Sequence, residues 1–375
     1  MNGSFRVGNL FGIPFYINSS WFIVLGLLTL TYGNDLATQF SQELGNTLPW
    51  ILGLITALLL FSSVLAHELG HSFVALYQGI KVKSITLFLF GGLASLDRES
   101  KTPIEAFLVA IAGPLVSILL CGFFVSINIF TSITGPAESI VQLLAYINLF
   151  LALFNLIPGL PLDGGNILKS IVWKITNNPY KGIIFASRVG QVFGCLAIIS
   201  GLIPAFLFSR IPNFWNILIG WFLLQNAGRS AQYGEIQGML ADLNAVDAII
   251  PDNPIVSNNL SLREFVNEYV IGKEARKKFL VINEMGQFVG VINVDDLKIV
   301  NTSQWPLVQV KTLTKPLAKI ETVTAKTSLL EVISLLEQKQ ISELTVIDEN
   351  GILVGSIEKA SIRRLLTRKE QAKTN

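Results

Sequence analysis

The sequence predicts a polytopic α-helical membrane protein that carries a smaller cytoplasmic α/β domain at its carboxyl end. Of the 375 residues, 51% are hydrophobic and only 14% are charged, whereas about 25% of the residues in ordinary soluble domains are charged. The charges are also unevenly distributed, with 21 charged residues in positions 1–242 and 33 in positions 243–375. We therefore expect a membrane domain over 1–230, a linker over 231–244 and a soluble domain beyond it.

The net charge and the cysteines give no indication of a nucleic-acid partner or of disulfide bonds. A net charge of +2 gives no reason to expect nucleic acid. Cys121 and Cys195 both lie in apolar runs, so no disulfide framework is predicted. The first apolar run has no obvious cleavage site of small residues and is interpreted as a retained helix.

Six apolar runs are long enough, or nearly so, to cross about 30 Å of hydrocarbon, which takes roughly 20 residues. They are approximately 14–32, 48–76, 104–130, 139–160, 189–209 and 212–227. Residues 80–96 are rich in β-branched side chains and contain a glycine pair, which predicts a short β-hairpin rather than a seventh helix. At membrane depth such backbone must be buried in protein or line a cavity.

Lysine and arginine then predict the orientation, because they accumulate on the cytoplasmic side. Four lie between the second and third runs and four between the fourth and fifth, whereas the opposite side receives only Arg210. Both termini and the soluble domain are therefore expected in the cytoplasm. The expected location is a bacterial inner membrane or an internal membrane.

The two histidines of the chain are four residues apart, in the string His67-Glu68-Leu69-Gly70-His71. On a helix this spacing places both imidazoles on one face, one turn apart, so both can reach one metal ion. Glu68 would lie beside that metal and could accept a proton from water. The H-E-x-x-H pattern is typical of zinc hydrolases, and its position at the inner end of an apolar run predicts a zinc site within the bilayer.

A third ligand is predicted at Asp163. Catalytic zinc takes three protein ligands and keeps one position open, and since the chain has no third histidine, a carboxylate must complete the set. Residues 155–165 contain two prolines and three glycines that break the helix and let a carboxylate turn inward. An ordinary Asp-Gly turn at the end of a span is the alternative interpretation.

These motifs together resemble the site-2 proteases, which are intramembrane zinc metalloproteases. The resemblance rests on residues 67–71, the hairpin glycines Gly91 and Gly92, the string Ala112-Gly113-Pro114 and residues 155–165. It implies that His67, His71 and Asp163 bind zinc and that Glu68 is the general base.

The resemblance further implies that Asn155 positions the substrate backbone, and that the hairpin pairs with an unwound transmembrane protein substrate. Ser117 stands where the family often has asparagine, a departure that concerns the local packing or a substrate contact.

The carboxyl-terminal domain contains a repeat with a 65-residue offset. Residues 281–292 recur as 346–357, and each copy predicts a strand, a tight turn and a strand followed by a helix. This pattern resembles a tandem pair of cystathionine-β-synthase (CBS) domains, which we place at 245–304 and 305–368, before a polar tail at 369–375. The resemblance implies an adenine nucleotide bound through Asp296. A structural module that forms a homodimer is an equally weighted alternative.

Two other functions are alternatives to a protease. One alternative is a cation transporter or channel regulated by CBS domains. In such a protein His67, Glu68, His71 and Asp163 would form the ion pathway. Against it, the membrane half shows no inverted repeat, and a glutamate between the histidines suits hydrolysis. A catalytically silent scaffold is the other alternative, and an intact metal set argues against it.

Overall fold

The computed structural model of the protein describes residues 3–88, 91–208, 211–249, 255–272, 278–316 and 321–374. It divides into two compact units, Met1–Gly234 and Glu235–Asn375.

The first unit is mainly helical. Its helices are α1 Ser19–Gln39, α2 Ser41–Leu44, α3 Leu48–Tyr77, α4 Pro103–Phe130, α5 Pro136–Asn155, α6 Asp163–Thr176, α7 Pro179–Phe208 and α8 Phe214–Ala241, the last of which continues into the second unit from Glu235. By length and composition, four segments among the described helices could cross a membrane: Leu48–Tyr77, Pro103–Phe130, Pro136–Asn155 and Pro179–Phe206. These four correspond to the second to fifth predicted spans, so six crossings are not confirmed.

The start of the first predicted span is wrong. Residues 14–18 belong to a β-strand, and helix α1 begins only at Ser19 because Asn18 caps it. The Asn18 side chain accepts a hydrogen bond of 3.0 Å from the Ser20 N–H, which satisfies one of the free donors at the start of a helix. Residues 214–227 of the sixth predicted span belong to α8, which continues through most of the predicted linker to Ala241.

The end of the fourth predicted span also needs correction. Helix α5 ends at Asn155 rather than 160, and Asp163 is the first residue of the separate helix α6. The intervening residues contain Pro158 and Pro161, which cannot continue the hydrogen-bond ladder of α5. Asp163 therefore begins a helix instead of ending one.

A four-stranded sheet packs against these helices. Its strands are β1 Ser4–Leu10, β2 Ile13–Asn18, β3 Val82–Phe88 and β4 Gly91–Leu96, in the order β1-β2-β3-β4. Strands β3 and β4, which fall on the residues predicted as a hairpin, pair antiparallel from Val82↔Leu96 to Phe88↔Gly91; residues 89–90 between them lie outside the described residues. Strand β4 is one edge of the sheet and β1 is the other.

The second unit contains the predicted repeat. Its first copy has β5 Ile255–Ser257, α9 Leu262–Phe265, β6 Lys278–Ile282, β7 Phe288–Asn293 and the short strand β8 Lys315–Pro316. Its second copy has β9 Thr322–Thr324, α10 Leu329–Gln338, β10 Glu343–Ile347, β11 Leu353–Glu358 and α11 Lys359–Thr374. In each copy the first strand pairs parallel with the second, which pairs antiparallel with the third.

Reciprocal backbone hydrogen bonds join the turns of the two copies. The Phe288 N–H donates to Gly351 O (3.0 Å), and the Leu353 N–H donates to Gly286 O (3.1 Å). Since each donor and each acceptor lies 65 residues from its counterpart, the turns of the two copies meet about an approximate two-fold axis.

The hydrophobic cores of the two copies exchange short segments. Ala245 and Ala248 are buried with the core of the second copy, while Val310 is buried with that of the first. Each core thus includes residues from beyond the predicted boundary at 304–305.

Candidate metal centre

Helix α3 presents His67 and His71 on one face, as the four-residue spacing predicts. His67 is 3% exposed, and the centroids of the two rings lie 5.0 Å apart, with the rings nearly perpendicular. A stretch without charged residues precedes the pair in α3. The two imidazoles are therefore polar groups in an otherwise apolar helix, where such residues are costly to keep.

Asp163 completes a cluster of three possible metal ligands. Its Oδ2 lies 3.0 Å from His67 Nε2 and 3.3 Å from His71 Nε2, and the two Nε2 atoms are 3.3 Å apart. Atoms bound tetrahedrally to one zinc at about 2.0–2.1 Å lie about 3.3 Å from each other. The three atoms thus have the mutual spacing that a shared zinc requires.

The other ring nitrogens are held by helix α4. His71 Nδ1 donates to the Val109 carbonyl (2.7 Å), and a carbonyl can only accept, so the proton of a neutral His71 is on Nδ1 and its Nε2 lone pair faces the cluster. His67 Nδ1 lies 2.9 Å from the hydroxyl oxygen of Ser117, which is fully buried. Such partners orient metal-binding histidines.

The space at the cluster suits a small ion. Gly113, also in α4, faces the histidines, and a Cβ atom at this position would overlap His71 Nε2 and lie 2.7 Å from His67 Nε2. Glycine therefore leaves open the volume in front of both nitrogens. A set of two imidazoles and one carboxylate is typical of zinc in hydrolases, so the residues present fit this metal.

Close backbone packing positions Asp163. A Cβ on Gly164 would overlap the carbonyls of Leu156 and Ile157, because the loop folds directly onto the start of α6. On the other side of the loop, the Leu160 N–H donates to the Ala186 carbonyl of α7 (3.2 Å). The interpretation of Asp163 as an ordinary turn residue leaves its approach to both histidines unexplained.

Glu68 lies between the histidines and the edge of the sheet. The Ala94 N–H of β4 is hydrogen-bonded to the Glu68 carboxylate, and Gly92 lies so close that a Cβ there would overlap the Glu68 side chain. Asp97 directly follows β4, and its N–H donates to the carbonyl of Lys81, which directly precedes β3. The backbone groups of Asp97 therefore face β3. Since backbone groups alternate along a strand, those of Gly92 and Ala94 face away from β3.

A cavity of about 610 Å³ connects these groups. It contains the predicted site residues of this unit, which are His67, Glu68, His71, Gly91, Gly92, Asn155 and Asp163. Asn155 lies on its wall at the last residue of α5. Much of the remaining lining is apolar, from helices α1, α3, α4 and α5.

Asp296 lies in the second unit and already has two partners. Its Oδ2 accepts from the Asn293 N–H (3.1 Å), and its Oδ1 is 3.1 Å from Lys315 Nζ. Burial alone would raise the pKa of this carboxyl group, but the hydrogen bonds from Lys315 and Asn293 lower it below the ordinary value. In the second copy, Glu358 and Ser361 occupy the corresponding positions and form a similar cap.

Reasoning from the sequence missed the groups that orient the histidines. In the sequence Ser117 is only a departure from a family pattern, and its contact with His67 joins residues 50 positions apart. The spacing of Val109, Gly113 and Ser117, four residues at each step, is a signal that could have identified this face of α4.

The proteins that this chain resembles include zinc metalloproteases, in agreement with the metal ligands of this site. The pattern described as "Peptidase family M50" matches residues 55–140 and 131–197, and that of the CBS domain matches residues 310–368. "Putative zinc metalloprotease sll0528" of Synechocystis sp. is 57% identical over 366 residues, covering 98% of this chain and 96% of its own. "Zinc metalloprotease MJ0392" of Methanocaldococcus jannaschii is 29% identical over 298 residues, covering 79% and 80%.

Among solved structures, "Site-2 Protease from Methanocaldococcus jannaschii" is 29% identical to the chain. The match covers 61% of this chain and 95% of the other, with a TM-score of 0.43.

The site and the fold define a membrane-bound metal-dependent hydrolase. The chain belongs to peptidase family M50, the site-2 proteases, and is a zinc metalloprotease with a CBS domain at its carboxyl end. The resemblance inferred from the motifs is confirmed, and the chain is an integral membrane protein. Membership in this family favours the hydrolase over the transporter and the scaffold.

Proposed function

We propose that His67, His71 and Asp163 hold one zinc ion and that Glu68 is the general base for cleavage of transmembrane protein substrates. The observation that carries the proposal is the spacing of 3.0–3.3 Å among Nε2, Nε2 and Oδ2. Bound zinc supplies a Lewis acid that activates water and polarises a carbonyl.

Glu68 is placed to move the proton. It adjoins His67 in the chain, its carboxylate lines the cavity and the Ala94 N–H orients it. In this position it takes a proton from the attacking water and delivers it to the leaving amine. The Val109 carbonyl and the Ser117 hydroxyl keep the imidazoles in the orientation that the ligands need.

Strand β4 supplies an edge for the substrate. A transmembrane helix protects its amide bonds with its own hydrogen bonds, so it must unwind before it can be cleaved. The outward N–H and carbonyl of Gly92 and the outward carbonyl of Ala94, together with Gly91 and Asn155 on the cavity wall, would receive the unwound segment as an added strand.

A cross-linking experiment tests this edge. A photoreactive residue at Leu93, whose side chain is 54% exposed on β4, should capture the substrate in a Glu68→Gln background. The same group at Phe5, 60% exposed on the opposite edge strand β1, should not. Equal capture at both positions would exclude β4 as the docking edge.

The chain would cross the bilayer six times, with α1 and α8 as the first and last spans. Both termini then lie in the cytoplasm, and the sheet bearing β4 lies at membrane depth where it borders the cavity. The host would be a bacterial inner membrane or an internal membrane. Labelling of single cysteines at Lys101 and Glu138 from either side should show the first to be cytoplasmic and the second not.

The second unit would serve as a sensor or a dimerisation module. Its CBS copies, proposed at 245–304 and 305–368, offer Asp296 to the ribose of an adenine nucleotide. Calorimetry on the full-length protein with ATP, ADP and AMP tests this proposal. Absence of heat with all three would leave dimerisation of the unit as its role.

The catalytic proposal is tested with Glu68→Gln beside the wild type. The variant should retain zinc, because the ligands are intact, and lose about 100- to 10,000-fold in cleavage of a transmembrane model substrate, because the general base is gone. Zinc content and cleavage are measured on the same preparations. Normal turnover by the variant would refute the role of Glu68.

A further inference from the structure

The cavity contains a basic group that the catalytic scheme does not use. Lys169 of α6 lines it, and apart from the two histidines it is the one basic residue among the described residues that do so. Its side chain is only 17% exposed. A lysine is rarely placed so deeply without a partner for its charge.

The partner present is weakly held. Lys169 Nζ lies 3.5 Å from Glu99 Oε2, at the limit of hydrogen bonding, and the Glu99 side chain is 65% exposed. Asp97, two residues earlier, is paired separately with Lys83 at 3.0 Å. Within the described structure, the ammonium group of this largely covered side chain thus has one loosely held carboxylate partner, Glu99.

The position of this pair relative to the reacting groups suggests its ligand. Lys169 follows Asp163 by six residues, about 9 Å along α6 at 1.5 Å per residue. Glu99 follows β4, the strand whose Gly92 touches Glu68. A segment added beside β4 would therefore run from the catalytic glutamate towards Lys169.

We propose that Lys169 is a specificity site that binds an acidic side chain of the substrate, which displaces Glu99. At about 3.3 Å per residue in an extended chain, and with the reach of a lysine side chain, the acidic residue lies about three to five positions from the cleaved bond. This inference rests on the proposed function, since it assumes cleavage beside Glu68 along β4.

Substrates that differ at one position test the proposal. One aspartate or asparagine is placed at each of eight positions beside the cleaved bond, and full-length protein is assayed in detergent. With wild type, kcat/KM should favour aspartate over asparagine about tenfold at the third to fifth positions, the worth of one charge-assisted hydrogen bond. Lys169→Met should reduce this ratio to about one.

Three further variants distinguish recognition from a structural role. Lys169→Glu should reverse the preference, so that lysine in the substrate is cleaved faster than aspartate. Lys174→Met, on the exposed side of the same helix, should retain the wild-type ratio. Glu99→Gln, which removes the competing carboxylate, should lower KM for the aspartate substrates.

The outcomes separate this inference from the proposed function. If wild type cleaves the substrates but Lys169→Met leaves the aspartate preference unchanged, Lys169 is not the specificity site. A dependence on Lys169 that is the same at every substrate position would indicate another anion, such as a lipid headgroup, and would also overturn it. Failure of the wild type with zinc bound to cleave any substrate would contradict the proposed function instead.

Discussion

The cluster of proposed metal ligands in the first unit and the predicted nucleotide site in the second differ in the partners of their carboxylates. Both oxygens of Asp296 have local partners, a backbone N–H three residues earlier and the ammonium of Lys315. Oδ2 of Asp163 instead approaches two imidazoles 92 and 96 positions away in the chain. A carboxylate that stabilises its own turn is weak evidence for a ligand, whereas one brought by the fold to two histidines is strong evidence.

Removal of the Asp163 carboxylate should have the largest effect on zinc binding and cleavage. Asp163→Ala should lower zinc affinity by more than about 100-fold, the upper range for residues that merely hydrogen-bond a ligand, and cleavage should fall with it. Zinc content after dialysis against a chelator and cleavage of a model substrate are the measurements. Asp97→Ala, which removes an exposed ion pair with Lys83, is the control and should change neither, and full zinc and activity in Asp163→Ala would refute the assignment.

A smaller effect should follow from removing the hydroxyl beside His67. Ser117→Ala leaves the ligands in place but removes the partner of Nδ1, so zinc affinity should fall about tenfold. Competition with a chromophoric chelator measures it. Ser126→Ala, which removes a hydroxyl bonded within the same helix, should bind zinc as the wild type does, and Ser117→Asn should recover part of the loss.

The smallest effect concerns Asp296. Asp296→Ala should destabilise the second unit by about 1 kcal/mol, because it removes a capping bond and an ion pair near the surface, whereas Asp295→Ala should cost less. Hydrogen exchange of β6 and β7 in the full-length protein reports the change.

The stability effect of Asp296 should also depend on pH. Since the native pKa of Asp296 is lowered, its contribution is present above the unfolded pKa of about 3.9 and is lost as pH falls through the native value. The variant and the wild type should therefore converge in acid. An equal difference at neutral and acidic pH would show that the carboxylate does not act through its charge.

How far the sequence predicts the structure differs between these regions. The histidine pair and the repeat were predictable, because local spacing determines which residues share a helix face and which strands form a hairpin. The start of α1 and the independence of α6 were not predicted, since apolar composition alone does not locate the cap at Asn18 or the break after Asn155. The contacts of Ser117 and Lys169 depend on tertiary packing, which no local pattern specifies.

X-ray absorption at the zinc edge of the purified wild type tests the central claim most directly. The chain has two histidines, so a signal from two imidazoles can come only from His67 and His71. We expect one zinc per chain, bound by two imidazoles and further oxygen ligands, and less bound zinc in Asp163→Ala. Sulfur scattering, which would implicate Cys121 or Cys195, or a signal from fewer than two imidazoles, would contradict it.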